Sequence, residues 1–425
     1  MSGPVIGPLV LGPPAHGGHV VARHEGRVVF VRGGLPGESV LVELTDTRHD
    51  RFWRGRVARV LEVSPERVDL DLPPAACTGA DLAFASLDAQ RRMKGLVVAE
   101  QLARLGGVEE PARLGGPDGG AGGAGPGDGV GPAVPVEAVP GDDDGWGWRT
   151  RMRYLHVDGR VGMRGFHSDE LVEAPAGTGF LLADPRGPRP HELARYADRA
   201  GREIVVTVAD SGVTVTSGGR FLDGEAVVTQ RVRGLDLRVR ADGFWQVHPG
   251  AADALAGAVL DALEVRPGER ALDLYCGAGL FAGVLDRAGA RVTGVESDGP
   301  AVHLARTNVP RARFIASRVE RALGRLPDAD VVVLDPPRTG VDRRVVEAVT
   351  GLGARAVVYV ACDPASLGRD VGRFAARGWR LAGLRALDVF PMTHHVETVA
   401  LLRRGLETHG RRGRAGEPGR DGPER

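Results

Sequence analysis

Cysteine, lysine and aromatic residues are scarce in this 425-residue sequence, and long apolar runs are absent. Its three cysteines, Cys77, Cys276 and Cys362, are too scattered for a disulfide framework, so we expect a protein of the reducing cytoplasm. No run of 18 apolar residues is present, so no membrane span is expected. The N-terminus, MSGPVIGPLVLGPP, lacks a basic region followed by a long apolar region, and we therefore expect no signal peptide.

An excess of charge of either sign is also missing. Basic and acidic residues number 55 each, so the net charge of zero gives no global attraction for nucleic acid. Any RNA-binding surface is therefore expected to be local. Lys94 is the only lysine, and because arginine is the general basic residue of the chain, an arginine inside one motif is weak evidence for anion binding.

Residues 1–63 contain five short β segments that are separated by glycine-rich turns: VIGPLVL, GHVVAR, GRVVFVR, ESVLVELT and FWRGRVARVLEV. So many short strands in so short a stretch predict a small OB-like barrel. Barrels of this kind often bind single-stranded nucleic acid or RNA loops. A β module that serves packing or assembly fits the same pattern equally well.

Residues 64–240 are predicted to form a central α+β domain. Within them, a serine cap at Ser86 and a glycine stop at Gly106 and Gly107 predict an amphipathic helix. Its predicted apolar stripe includes Leu87, Leu96, Leu102 and Leu105. The glycine-rich stretch 106–133 cannot bury a core and is predicted to be a disordered insertion. From about residue 134 the pattern is β-rich again.

Strands alternate with helices from residue 241 to residue 405, which predicts a doubly wound parallel sheet. The tail, 406–425, is predicted to be disordered. In such a sheet, ligands bind beyond the carboxyl ends of the strands. Residues that end successive strands are therefore expected to share one crevice.

The first turn of this region, LDLYCGAGLF, has the features of a cofactor loop. Gly277 and Gly279 allow the backbone to approach a ligand, and Glu296 ends the next strand, where a carboxylate hydrogen-bonds ribose hydroxyls. Ala282 replaces the third glycine of the dinucleotide pattern, so the motif favours S-adenosylmethionine over NAD. A glycine turn without a ligand is the alternative, and Glu296 argues against it.

Three further residues are expected at the same edge of the sheet. Asp335 ends the strand in VVVLDPPRTG, and Cys362 ends the strand in VVYVACDPASLGRD, where it faces the cleft. Glu397 is expected to begin a final antiparallel strand, and a carboxylate there can act as a general base. The alternatives are an inert core cysteine and a solvated loop acid. Cys276 is the rival nucleophile, and we interpret it as lining the cofactor loop.

Six motifs, spread over nearly the whole chain, resemble those of the S-adenosylmethionine-dependent RNA uracil-5-methyltransferases: WRTRMRYLHVDGRVGMRGFHS, FWQVHPGAADAL, LDLYCGAG, LDPPRTG, YVACDPASLGRD and DVFPMTHHVE. The resemblance implies an α/β fold, with a class I (Rossmann-like) methyltransferase domain at 241–405. It also implies a TRAM domain, which is an OB-like barrel, at 1–63 and a β-rich central domain. The implied activity is methylation of uridine C5 in structured RNA, 23S rRNA more than tRNA, by a monomer.

Carried across position by position, the resemblance makes Cys362 the nucleophile that adds to uracil C6 and Glu397 the base that removes the C5 proton. The two groups must lie on opposite sides of a base that has been drawn out of its stack. The thiol must be partly ionised, and we expect the strand-end position to assist this. The implied cofactor-binding residues are Gln246, Tyr275, Gly277, Gly279, Glu296 and Asp335.

Several positions depart from the family pattern. Leu280 stands where the family often has an asparagine that contacts the cofactor, and Arg318 replaces another polar contact. Many relatives carry four cysteines for an iron–sulfur cluster, but here Cys77 is retained while Ala80 and Ala174 occupy two of the other positions. We therefore predict no iron–sulfur cluster and no other metal.

Two other functions remain open from the sequence. RNA cytosine-5 methyltransferases also use a cysteine, but theirs typically follows the Asp-Pro-Pro segment, where this chain has Arg338. A non-catalytic RNA-binding or RNA-folding protein with a vestigial methyltransferase domain is the second alternative. The sequence does not identify the RNA or the uridine.

Overall fold

Two six-stranded sheets, one eight-stranded sheet and a β-hairpin organise the computed structural model over the residues that it describes, 3–114, 133–141, 143–165, 170–175 and 177–405. Most of the predicted glycine-rich insertion, residues 115–132, lies outside the described residues. The predicted disordered tail, 406–425, lies outside them as well.

The first sheet forms a barrel from β1 (Val5–Val10), β2 (Pro14–Ala15), β3 (His19–His24), β4 (Arg27–Arg32), β5 (Ser39–Asp46) and β6 (Phe52–Glu62). The strand order is β1-β5-β6-β4-β3-β2, so the two outer strands are consecutive in sequence, and β1 also contacts β3. Alternate residues such as Val29, Val31, Val40 and Val42 fill the interior. The predicted barrel is therefore present, with the short β2 added to the five expected strands.

The predicted helix follows the barrel as α1 (Leu87–Gln101), and a π-helical turn (Leu102–Gly106) extends it. The Ser86 hydroxyl accepts a hydrogen bond from the Ala89 amide, as a cap should. The predicted apolar stripe is largely wrong, because of its four leucines only Leu102 is buried. The helix is enclosed between the barrel and the largest sheet, and its buried side chains include the polar residues Gln90, Lys94 and Gln101.

The second sheet is antiparallel throughout, with order β10-β9-β8-β11-β12-β13. Its strands are β8 (Arg151–Val157), β9 (Arg160–Arg164), β10 (Leu171–Glu173), β11 (Glu203–Ala209), β12 (Gly212–Ser217) and β13 (Arg220–Asp223). A short helix, α2 (Pro190–Leu193), buries Leu193 against one face. The hairpin β14 (Val227–Val232) and β15 (Leu235–Arg240) leads to the next region.

The eight-stranded sheet has the order β18-β17-β16-β19-β20-β22-β21-β7. Its elements after the hairpin are α3 (Ala251–Leu263), β16 (Arg270–Leu274), α4 (Leu280–Arg287), β17 (Arg291–Glu296), α5 (Gly299–Asn308), β18 (Arg313–Ala316), α6 (Val319–Ala322), β19 (Val331–Leu334), α7 (Arg343–Gly351), β20 (Ala356–Ala361), α8 (Pro364–Ala375), β21 (Trp379–Asp388) and β22 (Glu397–Arg404). Strands β16 to β20 are parallel to one another, and β22 runs antiparallel between β20 and β21. The predicted doubly wound sheet and its final antiparallel strand are thus both present.

Two apolar cores lie on the two faces of this sheet. Alternate residues of β19 enter opposite cores, with Val331 and Val333 in one and Val332 and Leu334 in the other. Burial on both faces explains why these strands read as continuous apolar runs in the sequence. The polar groups of the sheet are therefore concentrated at the strand ends.

The largest sheet also includes segments from the predicted central region. Strand β7 (Val136–Ala138) pairs with β21 at the sheet edge, and α1 packs against α8. The two helix backbones approach closely at Gly368. A Cβ atom at this position would lie only 2.4 Å from the Gln101 carbonyl oxygen, so a side chain would not fit. The predicted domain boundaries remain predictions. No helix in the described ranges combines the length and apolar character needed to cross a bilayer.

Candidate active site

A cleft of about 2100 Å³ opens at the carboxyl edge of the parallel strands, between the large sheet and the barrel. Strand β22 runs in the opposite direction, so its first residue, Glu397, reaches the same edge. The cleft is lined by seven of the eight predicted site residues: Gln246, Tyr275, Gly277, Glu296, Asp335, Cys362 and Glu397. The eighth, Gly279, is not among the lining residues.

The glycine loop owes its shape to three residues with positive φ. Tyr275, Gly277 and Gly279 have φ values of +66°, +52° and +93°. Gly279 begins α4, and a Cβ atom at this position would contact Ala305 and Val309 rather than the cleft. Gly279 therefore shapes the loop, whereas Gly277 faces the cleft.

Glu296 joins this loop to the end of β17. One carboxylate oxygen accepts a hydrogen bond from the Gly277 amide at 3.1 Å. The other accepts from the Asp298 amide at 2.8 Å and from the Ser297 hydroxyl at 3.0 Å. Both oxygens are thereby fixed at the cleft wall, where a carboxylate with spare lone pairs can receive ribose hydroxyls.

Two further acids lie near Glu296. Burial raises the pKa of Asp335 to about 7, and the charge of Glu296 adds to the shift. Burial raises the pKa of Asp273 to about 8, and Asp335 and Glu296 contribute as well. One oxygen of Asp273 accepts from the Ala282 amide at 2.8 Å, and the other has no partner among the described residues. Asp273, Glu296 and Asp335 thus repel one another, and a cationic ligand near them would relieve this repulsion.

Asp273 is a buried acid that was not predicted as a site residue, although it lies in the cofactor-loop motif LDLYCGAGLF. The available signal was a single acid inside the otherwise apolar strand RALDLYC. A fully buried carboxyl in such a strand has a specific partner or a function.

Cys362 and Glu397 lie side by side at the end of two paired strands. The register pairs Ala361 with Thr398, which makes Cys362 and Glu397 the next opposed residues. The Thr398 hydroxyl donates to the Ala361 carbonyl at 2.9 Å and fixes the strand ends. The structure thus brings together the predicted nucleophile and the predicted base, which are 35 positions apart in the chain.

Both groups hold their protons in the ligand-free protein. Burial raises the pKa of Cys362 to about 12, the charge of Glu397 adds to this, and Arg338 opposes it. Burial also raises the pKa of Glu397 well above its usual range, with a contribution from Asp335 and again an opposing one from Arg338. The expectation that the strand-end position assists ionisation of Cys362 is therefore wrong for the ligand-free state.

Arg338 is the group that favours the charged forms of this pair. It follows the Asp-Pro-Pro segment and lines the cleft, as does the half-buried Arg149. Burial and the nearby Arg338 lower the pKa of Arg149, whose Nε donates to the Arg151 carbonyl at 3.3 Å. The two guanidinium groups provide an anion-attracting side to a cleft whose other side is acidic.

Helix α1 supports the loop that leads into Glu397. Lys94 donates to Asp388 at 2.5 Å and to the Phe390 carbonyl at 3.1 Å, and Arg91 donates to the second oxygen of Asp388 at 3.1 Å. Gln90 accepts from the Met392 amide at 2.8 Å. The only feature of the sequence that pointed to these contacts is that Lys94 is the single lysine of the chain.

Comparison with known proteins places this geometry in a family. The model of the tRNA (uracil-5-)-methyltransferase family matches residues 316–405, and the TRAM domain model matches residues 9–58. An uncharacterized RNA methyltransferase of Streptomyces avermitilis is 40% identical, over 92% of this chain and 96% of its own. The 23S rRNA (uracil(1939)-C(5))-methyltransferase RlmD of Alkalilimnicola ehrlichii is 31% identical, over 92% of this chain and 95% of its own.

The chain belongs to the RNA uracil-5-methyltransferase family. The resemblance predicted from the six motifs is therefore confirmed, as is the activity class of an S-adenosylmethionine-dependent RNA methyltransferase. The tRNA (uracil-54, C5)-methyltransferase of Pyrococcus abyssi, solved with S-adenosyl-L-homocysteine, shares the fold with a TM-score of 0.67. That match covers 95% of this chain and all of the other at 22% identity, and it confirms the predicted fold class.

Proposed function

We propose that the protein methylates C5 of one uridine in 23S rRNA through a covalent bond between Cys362 and uracil C6. The observation that carries the proposal is the opposed pair of Cys362 and Glu397 at the edge of the cleft. The 23S rRNA methyltransferase of A. ehrlichii, which is similar over nearly the full length of both chains, supports ribosomal over transfer RNA. The proposed enzyme is a monomer.

The two residues divide the chemistry between them. The Cys362 thiolate adds to C6, and the electrons of the C5–C6 double bond make C5 a nucleophile. After C5 has been methylated, Glu397 takes the C5 proton, the double bond re-forms and the C6–sulfur bond breaks. The thiolate is thereby returned, and a 5-methyluridine is released.

The cofactor half of the cleft fits S-adenosylmethionine. Glu296 would receive the ribose hydroxyls, and Gln246 and Tyr275 line the same wall. Asp335 lines the cleft and would face a positively charged ligand, which would relieve its repulsion with Glu296 and with the buried Asp273. When bound, the cofactor supplies the electrophilic methyl group.

The residues do not fit an iron–sulfur cluster. Cys77 packs beside Ala80 among apolar side chains, and burial raises the pKa of its thiol, which disfavours a metal ligand. Ala174 packs in the separate core of the second sheet. Within the described ranges, no three His, Cys, Asp or Glu side chains are arranged to hold a metal ion. We propose that the enzyme works without a cluster.

The test is transfer of labelled methyl groups from S-adenosylmethionine to in vitro transcripts of 23S rRNA and of tRNA, with the product mapped by mass spectrometry. We expect 5-methyluridine at one position of the rRNA. Cys362→Ala should lose activity by at least 10³-fold, as removal of a covalent nucleophile does in order of magnitude. Glu397→Gln should accumulate the protein–RNA adduct, because the C5 proton stays in place.

Four outcomes would reject parts of the proposal. Full activity of Cys362→Ala would exclude the covalent route, and 5-methylcytidine as the product would favour the cytosine-5 alternative. RNA binding with no turnover by any transcript would favour the non-catalytic RNA-folding alternative. Methylation of tRNA alone would overturn the choice of RNA while leaving the chemistry intact.

A further inference from the structure

A second, smaller cavity adjoins Cys362 at the junction of the barrel and the large sheet. Its volume is about 150 Å³. The turn between β2 and β3 forms one wall with Ala15, His16 and His19, and Val97 of α1 lies in another. The cavity shares Arg338, Cys362, His394 and His395 with the larger cleft.

This cavity is distinct from the position of the reacting uracil. The uracil must lie between Cys362 and Glu397, and Glu397 lines the larger cleft but is not among the residues that line the smaller cavity. The cofactor-side residues Gln246 and Glu296 also line only the larger cleft. A cavity of ~150 Å³ takes one benzene-sized ring, so this one admits a planar base but not a whole nucleotide.

His16 gives the cavity an unmatched hydrogen-bond acceptor. Its Nε2 lies 3.1 Å from a carboxylate oxygen of Asp363, the residue after the nucleophile. A carboxylate accepts hydrogen bonds, so Nε2 carries a proton, and in the neutral tautomer with this proton Nδ1 is an acceptor. Nδ1 is buried and has no hydrogen-bond partner among the described residues. A ligand with an N–H group would satisfy it.

The other walls favour an uncharged ligand. Burial and Arg32 lower the pKa of His19 to about 4, and burial and His394 lower the pKa of His395 to about 3, so both rings are neutral at physiological pH. The Lys94 ammonium is already bonded to Asp388 and to the Phe390 carbonyl. Arg338 is the other cation of the lining and is shared with the larger cleft, whereas a heterocycle finds neutral donors and acceptors on the two histidines.

We propose that this cavity binds one nucleobase of the RNA next to the target uridine, with His16 accepting a hydrogen bond from an N–H of that base. The assignment rests on the proposed function. It makes the barrel a part of the apparatus that selects the uridine, because the recognised base and the reacting base lie on either side of Cys362. The turn is held for this role by Arg32, which donates to the Gly17 carbonyl at 2.8 Å.

The test fills the cavity from either wall. Ala15→Trp and Val97→Phe are compared with wild type and with Val10→Trp, which adds the same bulk at a barrel residue that is 70% exposed. The substrates are an rRNA fragment that contains the mapped uridine and the same fragment with an abasic residue immediately 5′ or 3′ of it. Thermal unfolding of each variant verifies that it folds.

For wild type and Val10→Trp, we expect one of the two abasic fragments to lower kcat/KM at least tenfold. Ala15→Trp and Val97→Phe should lose a similar factor on the intact fragment and should not distinguish it from that abasic fragment. Equal rates of wild type on all three fragments, or full activity of both filled variants, would overturn the base pocket alone. Absence of methyl transfer by wild type to the intact fragment would instead refute the proposed function, and the base pocket with it.

Discussion

Cys362, Glu397 and Arg338 form one electrostatic unit, in which Glu397 and Arg338 shift the pKa of Cys362 in opposite directions and Arg338 also acts on Glu397. Burial keeps the thiol and the carboxyl neutral, and Arg338 is the opposing group that stabilises their charged forms. A bound sulfonium would act in the same direction as Arg338. Arrival of the cofactor is thus expected to prepare the nucleophile.

Replacing Arg338 should make Cys362 less reactive. In Arg338→Met the opposing positive charge is gone, so the pKa of Cys362 rises further and the thiolate fraction falls about tenfold for each unit. The expected result is several-fold slower alkylation of Cys362 by iodoacetamide at pH 9, followed by peptide mass spectrometry. Arg338→Lys keeps the charge and is the control. An unchanged or faster rate in Arg338→Met would contradict this role.

Asp273 should make the ligand-free protein less stable as the pH rises. Its pKa is raised from 3.8 to about 8 in the folded chain, so its contribution to stability is full at low pH and is lost between those values. The midpoint of thermal unfolding should therefore fall more between pH 5 and pH 9 in wild type than in Asp273→Asn. The asparagine can still accept from the Ala282 amide, which makes it a matched variant. Parallel curves for the two proteins would show that Asp273 does not titrate in this range.

At the scale of elements, α1 connects three parts of the molecule. Ala89 and Met93 enter the barrel core, Lys94 and Arg91 bind Asp388 at the end of β21, and the last turns pack on α8. Burial of Lys94 is compensated only while Asp388 is present.

Lys94→Met should therefore destabilise the protein strongly. Removal of one partner from a buried ion pair costs about 3–5 kcal/mol, because the other charge is left buried. The free energy of unfolding in urea measures this loss, and methyl transfer should fall as well, since Asp388 begins the loop to Glu397. Arg92→Met is the control on the same helix, since its pair with Glu66 is at the surface and contributes about 0–1 kcal/mol. Equal losses for the two variants would contradict the assignment.

The elements differ in how far the sequence predicts them. Strand-end residues such as Glu296, Asp335 and Cys362 could be placed at one edge because a parallel sheet aligns its strand ends. The contact of Lys94 with Asp388 spans 294 positions, and no periodicity encodes it. The apolar stripe predicted for α1 was largely wrong for a related reason. The helix packs between the barrel and the large sheet, so contacts from both sides, and not the periodicity of the helix alone, decide which side chains are buried.

At the scale of the whole molecule, the net charge of zero conceals a separation of charge inside the cleft. Glu296 and Asp335 line the cofactor half, where the buried Asp273 interacts with their charges, while Arg54 and Arg56 line the barrel half. In their ion pairs with Asp46 and Glu43 the arginine side chains are exposed, and ion pairs at the surface are weak. They can be exchanged for RNA phosphates, which agrees with the expectation of local basic surfaces.

RNA affinity should accordingly depend on salt through the barrel. Each phosphate contact that is lost reduces the slope of log K against log salt concentration by ~0.7–0.9. We expect Arg54→Gln with Arg56→Gln to reduce that slope in filter-binding titrations between low and moderate salt, with unchanged calorimetric affinity for S-adenosylmethionine. Arg231→Gln, at an exposed position of β14, is the control. A slope equal to that of wild type would place the RNA backbone elsewhere.

The close approach of α1 to α8 has a consequence for the RNA. Gly368 and Gly372 leave no room for a side chain between the two helices, since Cβ atoms there would lie 2.4 Å from the Gln101 and 2.8 Å from the Leu105 carbonyl oxygens. A barrel joined in this way cannot swing freely toward or away from Cys362. The distance between the RNA-binding surface of the barrel and the Cys362 sulfur atom is then expected to stay nearly constant. We therefore expect the RNA to adapt its conformation to this distance when its uridine is presented for methylation.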